Sequence, residues 1–364
     1  MADRTLTINH ADGGSETYTL KTEDVLGVRN MSVDGETVTI DRTAPDLVRT
    51  IIADGQTITI DTTREGVRTL TVDGTEITID RSEEANLESF LQEFTGASAA
   101  YSLRDLAGSG NTTVVRVRRA SDNSEKDFSA SEVSSGTLTN WVGAGNDGFV
   151  ETWYDQSGNG NDGVQQVSGS QPKIVDAGVL VTGGIDFDGV DDGLLTSSNF
   201  TDTFQSATIF AVTKEHTTSG KACMVRIRPN GDYGTFHGIT WEKDTDDTYA
   251  PTTFIDGANG SVSASLAGQG TRNKSKNLNT LIYQQSQILA YENGALDATL
   301  NNVRSGSVPV GDVTLVDQLW LGQNFDDNAR PFNGTMSEVI IYFTDQSANR
   351  EAIENNINNQ YDIY

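Results

Sequence analysis

Alternating β-branched and polar residues recur near the start of the chain. VRNMSVDG (28–35) is followed by TVTID (37–41), VRTIIADG (48–55) by TITID (57–61), and VRTLTVDG (67–74) by EITID (76–80). Residues 4–20 resemble a looser first copy. The Asp-Gly pairs lie 20 and 19 residues apart. Asp-Gly between alternating runs marks a tight hairpin, because both residues tolerate positive φ. Each unit is therefore expected to form one hairpin. A lone hairpin is marginal in water, so neighbouring hairpins must share a core, within one chain or between chains. Two readings follow for residues 1–81: an elongated oligomeric stem, or an ordinary small β-sandwich.

The period then changes. Leu87, Phe90, Leu91 and Phe94 recur at helical spacing. Ser82 suits the N-cap, Glu83 and Glu84 the first turn, and Gly96 the end. Residues 82–96 thus read as a helical linker. It would pack its stripe on the next domain, or join copies at a stem-to-head junction. From 97 to 364 strand-like runs alternate with turn clusters such as SGNGND, DGVDDG and PNGD. The runs are 113–119, 148–154, 184–187, 207–213, 222–227, 278–283, 288–291, 316–321 and 337–343. This is the pattern of a two-sheet jelly roll. A short helix, 348–361, closes the chain, with Ile353, Ile357 and Tyr361 as its stripe. The fold class is all-β: a hairpin-repeat module, a short helix, and a jelly-roll sandwich.

Composition narrows the partners. The chain has 364 residues, 25 basic and 52 acidic, for a net charge of −27. Such acidity repels phosphate backbones and anionic membrane surfaces, so neither nucleic acid nor membrane insertion is expected. Cys223 is the sole cysteine, which rules out an internal disulfide or a cysteine-based zinc site. It reads as a small buried residue. His10, His216 and His237 are far apart in sequence. No apolar window is long enough for a membrane helix. The opening MADRTLTINHADGG lacks the basic and apolar regions of a secretory signal.

One series of motifs carries a resemblance. AAYSLRDL (99–106), VRVRRASDN (115–123), WYDQSGNGND (153–162) and QPKIV (171–175) occur in order. The series resembles the catalytic-domain module of α-L-arabinofuranosidase B, glycoside hydrolase family 54. IDFDGVDDGL (185–194) is similar to the FDGxDD strand of concanavalin A-like, laminin-G-type jelly rolls. Such combined modules recur in bacteriophage virion proteins, after a short N-terminal β region. The resemblance implies an acid/base carboxyl at Asp326, in LGQNFDDN (321–328). The family's nucleophile is a Glu in a Gly-Asn-Ala-Glu-like segment after paired cysteines. The corresponding stretch here, 222–234, has one Cys and no Glu, and Asp232 fits only by a forced alignment. A retaining glycosidase needs both carboxyls. The scaffold is therefore expected to be kept without catalysis, so the chain is read as a non-enzyme.

The remaining residues carry paired readings. In YDQSGNGND, Asp155 and Asn159 suit turn acceptors and donors, while Gly158 and Gly160 suit positive φ. Trp153 and Tyr154 are expected to anchor the strand in the core. The alternative is a sugar-facing rim, for which Tyr154, Trp241, Asp326 and Asp327 are the carbohydrate candidates. Asp326 and Asp327 could equally be a polar turn. Asp186, Asp188, Asp191 and Asp192 form an acidic cluster. Asp188, Asp191 and Asp192 are the candidate ligands of a hard cation such as Ca²⁺, or solvated turn caps. Asp244, Asp246 and Asp247, near Trp241 and Tyr249, form a loop of unassigned role. Together these features give an expected phage virion protein. It would contact other virion proteins through residues 1–96, assemble as a homotrimer, and attach to host surface glycans. It would be made in the host cytoplasm. The alternatives are an active arabinofuranosidase-like hydrolase and a purely structural capsid decoration.

Overall fold

Strand Asn333–Tyr342 shows how the second half of the chain folds. It is buried on both faces, and sequence neighbours enter different cores. Met336, Val339 and Ile341 join one cluster, Ile340 and Tyr342 another. Strand Ala207–Glu215 does the same, with Ile209 and Ala211 on one side and Phe210 and Val212 on the other. A strand buried on both faces reads as a continuous apolar run, not as an alternation.

The computed structural model describes residues 89–196, 200, 203–216, 222–227, 239–243, 252–257, 260–265, 275–284, 287–301, 313–314, 318–323 and 331–364; before residue 89 it describes the backbone of eight strands. The chain divides into two units, Met1–Leu87 and Glu88–Tyr364.

In the first unit, strands Arg4–Asn9 and Ser15–Leu20 form a hairpin. Strands Val28–Val33, Glu36–Asp41, Val48–Ala53, Gln56–Asp61, Val67–Val72 and Thr75–Asp80 form one antiparallel six-stranded sheet. The repeats do pair as hairpins, with Val33 opposite Glu36, Ala53 opposite Gln56 and Val72 opposite Thr75. They also join edge to edge, through Ile40–Ile51 and Ile60–Leu70. This register puts Val38, Ile40, Ile51, Ile58, Leu70 and Ile77 at positions of one face. Thr39, Thr50, Thr59, Thr69 and Thr78 take positions of the other. The Asp-Gly turns lie outside the described residues.

The second unit is an all-β sandwich. Strand Gly148–Trp153 belongs to both of its layers. Gly148 and Phe149 pair with Lys173–Asp176, whereas Thr152 and Trp153 pair with Gly163–Val164. One layer continues through Ile185–Asp188, Asn333–Tyr342, Ala207–Glu215 and Lys276–Gln284. The other runs through Leu194–Thr196, Leu319–Leu321, Ala222–Ile227 and Ile239–Lys243. Trp153, Leu194, Met224, Leu281 and Met336 meet between the layers. Cys223 is fully buried, as its small apolar side chain requires.

Two helices cover the outer face of the first layer. The closing helix, Arg350–Tyr361, buries Ile353 and Ile357 against Phe210, Val212 and Leu278. The other, Phe90–Glu93, is shorter than the helix expected over 82–96, of which 82–88 lie outside the described residues. Phe90 and Phe94 join the same cluster, and Tyr342 Oη donates to the Phe94 carbonyl at 2.9 Å. Residues 89–96 therefore pack on the β domain that follows, and the second unit begins at Glu88. Two short helices, Ala130–Ser134 and Thr137–Val142, had no periodic signal because each spans barely a turn.

Candidate functional site

The WYDQSGNGND segment leaves strand Gly148–Trp153 and folds back on strand Ala99–Ser102. Asp155 organises it. Oδ1 accepts from the Ala100 amide at 2.8 Å and the Ser157 amide at 2.9 Å; Oδ2 accepts from the Ser157 hydroxyl at 2.7 Å and the Asn161 amide at 3.1 Å. Gln156 is buried, takes the Leu106 amide at 2.7 Å, and donates to the Ser102 and Arg104 carbonyls at 3.0 Å. Asn159 and Asn161 donate to the Ala97 and Ser98 carbonyls at 3.0 and 2.9 Å. Gly158 and Gly160 have φ of +86° and +74°, the conformation that favours glycine. The polar side chains of this block thus satisfy backbone groups, as turn chemistry requires.

Trp153 and Tyr154 separate. Trp153 is fully buried, at 5.6 Å from the Tyr101 ring centre. Tyr154 is half-buried, so the expectation that both anchor the core holds for Trp153 alone. Successive strand residues point to opposite faces, and only one of the two can face inward. The Tyr154 hydroxyl donates to Asp127 at 2.8 Å. Asp127 also takes two hydrogen bonds from Arg116, at 2.7 and 3.1 Å. Arg116 holds the Asp127 carboxyl below its usual range, and burial followed by the Asp127 contact raises the Tyr154 phenol. Both charged partners are well exposed, so the pair adds little stability. Asp127→Ala is expected to shift the unfolding free energy by at most about 1 kcal/mol, read from denaturant midpoints of the full chain.

The acidic candidates are brought together. Oxygens of Asp188, Asp191 and Asp192 lie within 4.8 Å of one another. Such a spacing and an all-oxygen donor set fit a hard cation. The same oxygens also serve the turn. Asp188 Oδ1 accepts from the Val190 and Asp191 amides at 2.7 and 3.3 Å. Asp191 accepts from the Ser170 hydroxyl at 2.9 Å, and Asp192 from the Asp188 amide at 2.9 Å. Burial pushes the Asp192 carboxyl up to about 7; the Asp188 amide pulls it down, and the neighbouring carboxylates raise it further. Asp186 stands apart from the three, facing His216 Nδ1 at 3.4 Å.

Asp326, Asp327, Asp232, Asp244, Asp246, Asp247 and Tyr249 lie outside the described residues. Trp241 falls on strand Ile239–Lys243, opposite Val225. The sequence reading passed over four charges that the fold buries, Glu215, Arg226, Glu338 and Glu354, each at 3% exposure or less. None carried a motif; only burial marks them, and burial is a property of the assembled layers.

No family model matches the chain, and no curated protein matches it. Solved structures do. A GH54 α-L-arabinofuranosidase soaked with a cyclic sulfate inhibitor aligns with a TM-score of 0.51 at 18% identity, covering 72% of this chain and 62% of that one. A Glu-to-Gln mutant of a GH54 α-L-arabinofuranosidase, soaked with 4-nitrophenyl α-L-arabinofuranoside, aligns at 0.50 and 17% identity over the same shares. This chain thus spans less than two thirds of those enzymes. At such identity the likeness is one of fold: the second unit shares the arabinofuranosidase type of β-sandwich.

Proposed function

We propose that the protein is a phage virion component, a head or tail fibre or decoration. In this reading the sandwich is a lectin-like head that attaches to host surface glycans. One observation carries it: a single chain joins an arabinofuranosidase-like sandwich to a hairpin-repeat sheet with a row of aliphatic positions on one face, which Arg29, Arg49 and Arg68 flank. An aliphatic row across a single sheet needs a partner surface. Copies of the same sheet, associating as a homotrimeric stem, supply it, and of the residues 1–96 expected to meet other virion proteins the first unit, 1–87, does so, because 89–96 pack on the sandwich. The protein is made in the host cytoplasm and becomes part of the particle.

The head is a binder rather than a hydrolase. Tyr154, Trp241, Asp326 and Asp327 are its sugar-contacting candidates, and Asp188, Asp191 and Asp192 would hold Ca²⁺ if the rim uses a cation. The likeness to arabinofuranosidases favours one rival reading, in which Asp326 is the acid/base of an active enzyme. Aryl arabinofuranoside turnover by the full chain, abolished in Asp326→Asn, would establish that rival. The expected result is no Asp326-dependent turnover.

The stem is tested by native mass. The full chain is expected to run as a trimer, and Ile51→Asp, at the centre of the aliphatic face, is expected to yield monomers with the near-ultraviolet circular dichroism of the sandwich unchanged. A monomeric full chain would remove the stem and leave a decoration or an enzyme.

A further inference from the structure

The hairpin repeats of the first unit join each other twice, in one register. Ile40, on the second strand of one hairpin, stands opposite Ile51 on the first strand of the next, and Ile60 stands opposite Leu70. In both junctions the fifth residue of one strand faces the fourth of the other. Strands Val28–Val33 and Thr75–Asp80 end this sheet, and among the described residues nothing pairs with their outer edges. An open strand edge is a template for another chain, and proteins blunt it with proline, lysine or a bulge. These two strands, VRNMSV and TEITID, carry no proline or lysine, and their registers run without a bulge. They are spelled like the inner strands VRTIIA, VRTLTV, ETVTID and QTITID, which pair on both edges.

The outer edge of Thr75–Asp80 is therefore equivalent to the edges of Glu36–Asp41 and Gln56–Asp61 that meet the next hairpin. The outer edge of Val28–Val33 is equivalent to those of Val48–Ala53 and Val67–Val72 that receive them. The same register used a third time sets Ile79 opposite Met31, Asp80 opposite Asn30 and Thr78 opposite Ser32. Ile79 and Met31 share the face of the aliphatic row, so the row continues across such a junction. Within one chain the two edges are five strand spacings apart, about 24 Å along the sheet. The hairpin of Arg4–Asn9 and Ser15–Leu20 does not fit the open edge in this register. Its apolar positions Leu6, Ile8, Tyr18 and Leu20 share one face. The repeat register would set Thr19 opposite Met31 and send Tyr18 and Leu20 to the threonine face.

We propose that a second copy of this chain takes the open edge, with Thr75–Asp80 of one copy pairing antiparallel to Val28–Val33 of the next. The two edges differ, so the contact is heterologous. Like edges would pair about a two-fold axis and stop at a dimer, whereas unlike edges can close into a ring of three. The inference rests on the reading of the first unit as an oligomeric stem, and it names the interface.

The test places a cysteine on each edge of the full chain, Asn30→Cys with Asp80→Cys. Both positions lie on the threonine face, away from the aliphatic row. Directly opposed residues of an antiparallel pair sit about 4.5–5.5 Å apart at Cα, within the span of a disulfide. Mild oxidation is expected to give covalent trimers on a non-reducing gel, with neither single variant linked. The reduced double variant should keep the native mass of the parent. Cys223 is fully buried and should stay a thiol. Val28→Cys with Thr78→Cys is four residues out of register, about 13 Å apart, and should stay unlinked. A native trimer in which the first pair stays unlinked, or both pairs link equally, would overturn the edge junction and leave association through the aliphatic rows. A disulfide within one chain, seen as a faster-running monomer, would also overturn it. A monomeric parent would remove the stem and the junction together. A ladder running past the trimer would keep the junction and overturn the closed ring.

Discussion

Glu338→Ala is expected to lower the unfolding free energy of the full chain by about 3–5 kcal/mol. Glu338 is 1% exposed, on the strand that both cores share. Its carboxylate takes two hydrogen bonds from Arg104, at 2.7 and 2.8 Å, one from Ser102 at 2.8 Å and one from Tyr361 at 3.1 Å. Arg104 reaches on to Asn356 of the closing helix at 2.9 Å. Burial works against the Arg104 charge, and Glu338 more than offsets it, so the guanidinium is held above its ordinary value. The Tyr361 phenol is raised well above its own, by burial and then by Glu338. Removing the carboxylate strands a largely buried cation and loosens the closing helix from the sheet. The pair itself adds less than this, because both charges were taken out of water to make it. Replacing Arg104 and Glu338 together by leucine should therefore recover most of the loss. Guanidinium unfolding followed by near-ultraviolet circular dichroism reads both variants. A loss under about 1 kcal/mol in Glu338→Ala would mean that water already satisfies Arg104.

Asp155→Ala should cost about 3 kcal/mol or more, since hydrogen bonds to a charged group are each worth roughly 1.5–3 kcal/mol. Three backbone amides and one hydroxyl converge on this carboxylate. One of them, Ala100, lies on a strand 55 residues away. The variant leaves these donors short of an acceptor and detaches the turn from strand Ala99–Ser102. Asp155→Asn keeps an acceptor oxygen and should lose less. The pair of variants separates the two readings of the YDQSGNGND block. A stability loss that scales with lost acceptors makes the block a clamp. Normal stability with lost glycan binding would instead place it in the rim.

Much of the architecture was legible in residue order. Runs 113–119 and 222–227 became strands with those bounds, and the closing helix starts two residues later than read. The Asp-Gly repeats paired as hairpins. These features are local: β-branched alternation, turn residues and a 3.6-residue stripe act within one element. The strands buried on both faces were legible as strands but not as two-sided ones. VIIY reads the same whether one face or two are covered, and only the packing of Arg350–Tyr361 and of Phe90 and Phe94 settles that.

The candidate site was less legible, for a related reason. Asp188, Asp191 and Asp192 are close in sequence, so one turn gathers them and the sequence could name them. Arg104 and Glu338 are 234 positions apart, so no local pattern could pair them. Residue order alone determined which segments could be strands, where they turn, and the net charge of −27. Only the tertiary structure decided which strands become neighbours and in what register. That choice is set by burying both faces of the central strands at once, and it alone determines which charges meet and which are buried.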